Sequence, residues 1–317
     1  MNKNPFVVFL LVFVFFFSCA QEKKPTNEIK NLVEKLQNFE KEPNHNLRVT
    51  SNLAYEVRVN GLPAAYGDKK THPSRLMLIN NCIPKSGNQI LEIFIYTPKN
   101  EIQFSDDSSP FELKINKDYW EKSGGLSEPT EILEFALSEK DVKENEDVFY
   151  KKLNFKAEVP YKMYDWENAT VLNPTDSAAI KLKLLEKYNS LKENYETKNG
   201  ELYVNTLNKG LFSLLQGAYF TKEESNDYIN KKIEFINKEN RKLAEFENYK
   251  IVFSGDNKLV SLRRTDDYNM NEGILRRYYN KGKQKLVYVD DVIFYQPKDK
   301  NDFEPIYYLN LEKGANP

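Results

Sequence analysis

Two histidines, two cysteines and a large set of carboxylates bound the chemistry open to this 317-residue chain. His45 sits in the polar stretch EKEPNHN and His72 stands directly before Pro73, so both are expected in exposed loops. A nucleophile–histidine site needs an imidazole oriented by a third group, and neither setting offers one. No closely spaced His/Cys pair supplies zinc ligands, so no metal site is expected. The acidic pairs Asp106-Asp107, Asp266-Asp267 and Asp290-Asp291 lack the alternating spacing of a calcium loop, and they read as solvated turns. Neither a Gly-rich phosphate loop nor a nucleophile elbow is present, so no catalytic residue and no cofactor is assigned.

Basic residues are more concentrated. Arg263-Arg264, Arg276-Arg277, Lys281, Lys283 and Lys285 crowd two neighbouring hairpins near the C-terminus. Guanidinium forks bind phosphate or carboxylate well, which makes Arg263, Arg277 and Lys283 a candidate anion-binding face. Adjacent strand residues point to opposite faces, so only half of each Arg pair can share a surface. Among the aromatics, Trp120 ends a strand and Trp166 lies in a loop, and a flat indole in either place can stack on a sugar ring. Cys82, beside a strand-like run, reads as a buried small hydrophobe.

The elements that must position these residues follow from periodicity. Ile29, Leu32, Val33, Leu36 and Phe39 have helical spacing. From about residue 47 to 160 the apolar residues alternate, and Asn60-Gly61 is a turn signal, which predicts an all-β sandwich domain. Residues 161–176 are expected to be a linker. Three helices follow: one through Ile180, Leu184, Tyr188, Leu191 and Tyr195, one through Val204 to Leu215, and one opened by the capping box Thr221–Glu224. Alternation returns from Tyr249. The prediction is therefore an α+β chain of two domains, an N-terminal sandwich followed by a C-terminal domain (177–317) of helices and then an antiparallel sheet.

The N-terminus predicts an address. Phe6 to Phe17 is an apolar run too short to span a bilayer, and Ser18-Cys19 follows it. Phe16-Phe17-Ser18-Cys19 resembles the lipobox of exported bacterial lipoproteins, as in the Bacteroidetes. That resemblance implies a signal peptide over 1–18, lipid on Cys19 and a tether with a short helix over 19–46. It places the chain in the cell envelope, expected at the outer membrane, with the membrane itself as a partner. Asp176-Ser177-Ala178 resembles the O-glycosylation motif of the same envelope, with Ser177 as acceptor. INNCIPKSGNQILEIFIYTP resembles a segment of jelly-roll and galactose-binding-like modules, and the helices-then-strands order resembles nuclear-transport-factor-2-like folds.

Without residues 1–18 the chain has 299 residues and 45 basic against 47 acidic side chains. That balance argues against nucleic acid, whose binders carry a basic excess. The expected function is a non-enzymatic envelope lipoprotein that binds a macromolecule or a glycan, an envelope protein being the other partner considered. Two alternatives remain: a small-molecule enzyme with a carboxylate/Arg pocket in the C-terminal domain, and a lipoprotein conferring immunity to a toxin.

Overall fold

The alternating segments form strands β1 (Pro43–Ser51), β2 (Tyr55–Val59), β3 (Leu62–Gly67), β4 (Ser74–Leu78), β5 (Gly87–Ile95), β6 (Phe111–Tyr119), β7 (Thr130–Ala136) and β8 (Phe149–Ala157) in a computed structural model. The structure describes residues 28–67, 74–97, 99–105, 109–120, 125–143, 148–240, 242–266 and 271–314. Two four-stranded antiparallel sheets result, with orders β4-β1-β6-β7 and β3-β2-β5-β8. Leu47, Val49, Val57, Val59, Leu91, Ile93, Leu113 and Ile115 are buried, as period-two strands with one apolar face require. Cys19, His72, Asp106, Asp107 and Asp267 lie outside the described residues.

The sheet begins earlier than its alternation suggests. β1 starts at Pro43, so His45 is not in a loop: it pairs with Lys117 of β6 and is fully buried. Asn44 and Asn46 both donate to Asp118, at 3.1 and 2.8 Å, so the two asparagine amides at the start of the strand are held within the sheet.

The C-terminal half carries α2 (Ser177–Glu196), α3 (Gly200–Thr206), α4 (Asn208–Gly217) and α5 (Lys222–Lys238), preceded at the chain's start by α1 (Glu28–Val33). The helix expected through Val204 and Leu215 is two helices, joined at Leu207. α4 lies directly on the backbone at Tyr307–Tyr308, because a Cβ on Gly210 would stand only 2.8 Å from it. Strands β9 (Tyr249–Ser254), β10 (Leu259–Arg264), β11 (Leu275–Lys281), β12 (Gln284–Tyr295) and β13 (Glu304–Gly314) form an antiparallel sheet centred on β12. The fold is thus the expected α+β arrangement, a β-sandwich and then helices with a sheet.

Residues 161–176 do not hang free between the two halves. Tyr161, Met163, Ala169 and Leu172 are buried. Backbone N–H groups of Met163, Thr170 and Leu172 donate to the carbonyls of Pro84, Gln296 and Asn257 at 2.8, 2.9 and 2.8 Å. The segment is a strap fastened to both halves, and one continuous apolar core runs beneath it.

Candidate functional site

β12 presents Asp290 and Asp291 consecutively, and both are 0% exposed. Consecutive strand residues project to opposite faces of a sheet, so the two carboxylates serve two different environments. The turn expected for this acidic pair is thus corrected: Val287, Val289, Val292 and Ile293 bury the strand on either side of it. An ionised carboxylate can be buried only with counter-charge and donors, and each aspartate has its own set.

Asp291 faces the N-terminal domain. It accepts Arg263 Nη1 at 2.5 Å and the Tyr66 hydroxyl of β3. Arg263 Nε donates to Ser261 Oγ at 2.9 Å. Tyr307, on the same side, donates its hydroxyl to the Pro63 carbonyl at 2.8 Å, so this face is a polar seam between the halves.

Asp290 faces the helices. Its Oδ2 accepts Arg277 Nη1 and the Tyr203 hydroxyl, both at 2.8 Å. Its Oδ1 accepts the Tyr308 hydroxyl at 2.7 Å, Asn310 Nδ2 at 2.6 Å and Lys232 Nζ at 3.3 Å. Lys232 also meets the Tyr308 hydroxyl. Burial by itself raises the Asp290 pKa, but Lys232 and Arg277, with the Tyr308 and Tyr203 hydroxyls, hold it far below the usual carboxylate range. Asp290 is therefore a fixed anion and no general base. The Lys232 ammonium is pulled below the ordinary lysine pKa, first by burial; the neighbouring Arg277 adds to this and Asp290 opposes it.

Above this cluster opens a hollow of about 460 Å³, lined among others by Phe220, Tyr228, Lys232, Phe235, Arg277 and Tyr288. That volume lies in the range of small-molecule sites, which combine apolar walls with a few fixed polar groups. The Arg277 guanidinium is stacked among Tyr195, Phe235 and Tyr288, at 5.3, 5.2 and 4.7 Å from their ring centroids. Its Nε is buried and has no hydrogen-bond partner among the described residues. Counting Lys232 and Arg277 against Asp290, the floor carries one positive charge in excess. Glu224, Asp227 and Lys231 also line the hollow, and with Lys231 paired to Asp227 at 2.6 Å the Glu224 carboxylate at the rim balances the charge of the floor. Glu224 is fixed there by the expected capping box, accepting the Thr221 N–H at 2.9 Å.

The expected anion-binding face does not exist as a surface. Arg263 and Arg277 are buried and pair with aspartates on opposite sides of the sheet. Lys283 is exposed in the β11–β12 turn and joins neither. The two arginine charges are internal, because their counter-ions sit on β12, the strand that pairs with both β10 and β11. Arg276 is likewise buried on Glu272. Trp120 stands 63% exposed at the end of β6, whereas Trp166 borders a cleft between the halves. Ser177 is the first residue of α2. Cys82 is buried, and burial pushes its thiol pKa up. Among the described residues, no group of three or more His, Cys, Asp or Glu could hold a metal ion. In the same residues, no helix is long and apolar enough to cross a membrane.

Lys232 was not singled out from sequence, yet its signal was present. It lies three residues after Ile229 and four before Ile236, within the stripe that α5 buries. No protein-family model matches the chain, and comparison with curated proteins and with solved structures returns no significant match.

Proposed function

We propose that this chain is an envelope lipoprotein, held by lipid on Cys19, whose C-terminal domain binds a small organic anion. The observation that supports this most is the hollow over Asp290. Aromatic rings line it, and its floor holds a desolvated, preorganised charge cluster with one positive charge in excess. A carboxylate-bearing molecule with an apolar or aromatic body matches both parts. Its charge meets Lys232 and Arg277, and its body meets Phe220, Tyr228, Phe235 and Tyr288. Charge-assisted hydrogen bonds of this kind contribute about 1.5–3 kcal/mol each. A thermal-shift screen of aromatic carboxylates beside their neutral amides tests the reading. Stabilisation by carboxylates alone supports it; equal or no response across both series overturns it.

One observation favours a second reading, in which the same hollow performs chemistry. Lys232 is an amine on the floor of the hollow, and burial lowers its pKa while Asp290 opposes that shift. A carbonyl ligand would condense there, the Lys232 nitrogen forming a C=N bond as water leaves. Borohydride reduction in the presence of an aldehyde would then fix added mass on Lys232. An unmodified Lys232 peptide rejects this second reading and leaves simple binding.

A further inference from the structure

A separate depression lies where the two halves meet, on the side of the molecule carrying the Asn60-Gly61 turn. Gly61, with φ +80, and Gly255, with φ +56, bring a turn from each half together. A Cβ on Gly61 would stand 2.6 Å from the Gly255 Cα, so only glycine permits this approach. Next to the contact a cleft of about 270 Å³ opens, bordered by Trp166, Asn88, Glu92, Asp165, Lys152 and Asp256. Its aromatic wall comes from the strap, and the Trp166 indole edge fits against Gly255, where a Cβ would stand 3.2 Å from Nε1. A second hollow of about 360 Å³ shares Glu92, Gly255 and Asp256 with the cleft and adds Phe94, Tyr150 and Phe253. The two together form one groove, with aromatic rings at both ends and Glu92 between them.

The charges lining this groove balance, Arg58, Lys85, Lys152 and Lys258 against Glu92, Asp165, Glu167 and Asp256. Lys85 pairs with Glu167 at 2.5 Å, Lys152 lies 3.9 Å from Asp256, and Lys258 Nζ donates to the Glu167 carbonyl at 2.8 Å. Glu92 accepts the Tyr150 hydroxyl at 3.1 Å and keeps further lone pairs for a ligand. A groove with no net field to attract a charged chain, but with flat rings and planar amide and carboxylate side chains, suits a particular chemistry. That chemistry is a ring with an apolar C–H face and hydroxyls around its edge. The face packs on an indole or phenol and the hydroxyls bond to Asn88, Glu92 and Asp165.

We infer that the groove between Trp166 and Phe94–Tyr150 is a binding site for a neutral oligosaccharide, long enough for more than one sugar ring, and distinct from the hollow over Asp290. Trp120 and Trp166 are the two tryptophans of the chain, which provides a direct reporter. In Trp120→Phe full-length protein, all tryptophan emission comes from Trp166. Neutral hexasaccharides of β-linked glucose, α-linked glucose, xylose and N-acetylglucosamine are titrated to about 10 mM, a range that covers millimolar affinities of about −4 kcal/mol. At least one should shift the emission saturably, with an affinity unchanged between low and high salt because no charge is being matched. Asn88→Ala and Glu92→Gln, at partly or fully exposed positions, should each weaken it at least fivefold. Both variants should retain the parent's melting temperature. No shift with any of the four sugars overturns the inference. So does a salt-sensitive response, or an affinity untouched in both variants.

Discussion

His45 gives the most quantitative handle on the fold. Its imidazole is fully buried in β1, and neither ring nitrogen has a hydrogen-bond partner among the described residues. Burial lowers its pKa from 6.5 to about 4. The folded state therefore resists protonation while the unfolded chain takes it up, so this stability is full well above pH 6.5 and drains away as pH falls through 6.5 toward 4. Linkage between those two values gives a loss of about 0.2 kcal/mol at pH 7 and about 2 kcal/mol at pH 5. Asp290 contributes little in that window, because its pKa is depressed and its contribution is lost only below the unfolded value of about 4. Urea unfolding at pH 7 and pH 5, compared between the parent and His45→Leu, isolates the effect. The parent should lose about 2 kcal/mol more than the variant across that interval. Parallel pH profiles would refute the buried, neutral imidazole.

Four further outcomes follow. Asp290→Asn leaves Arg277 and Lys232 buried without a counter-charge and should cost about 3–5 kcal/mol in denaturant, whereas Lys232→Met, which keeps the Arg277–Asp290 pair, should cost less than half of that. Gly210→Ala must push α4 off β13 and should destabilise by about 1–3 kcal/mol, measured by thermal melting. Limited proteolysis should leave residues 161–176 uncut, since their backbone is bonded to both halves. Cys19→Ala should release the chain from the membrane fraction or leave it unprocessed, and a variant that is still lipidated would contradict the anchor.

Much of the architecture is legible in the sequence because it rests on periodicity. The α2 stripe Ile180, Leu184, Tyr188, Leu191 and Tyr195 is buried as read. β1 and β3 lack that signal. β1 opens with Pro43-Asn44-His45-Asn46, where Asp118 accepts from the Asn44 and Asn46 amides and Asn80 accepts the His45 backbone N–H, both residues distant in sequence. β3 reads Leu62-Pro63-Ala64-Ala65, weak β-formers tolerated because it is an edge strand. The site was less legible for a related reason. Charged residues near hairpins usually face water, and only the register of β12 shows that Asp290 and Asp291 neutralise Arg277 and Arg263 inside the sheet. A hint was available: two adjacent acids amid Val287, Val289, Val292 and Ile293 sit poorly in a turn. Lys232 gave a similar hint by sharing a helical stripe with Ile229 and Ile236.

We propose that the excess positive charge of Lys232 and Arg277 over Asp290 selects an anionic ligand in the aromatic hollow. That selection is tested most directly by calorimetric titration of one aromatic carboxylate and its methyl ester against the parent chain and Lys232→Met. The parent should prefer the carboxylate by about 10- to 150-fold, the equivalent of one charge-assisted hydrogen bond of 1.5–3 kcal/mol. Lys232→Met should bind acid and ester alike. Equal affinity of the parent for both ligands, or a preference that survives in the variant, would contradict the account.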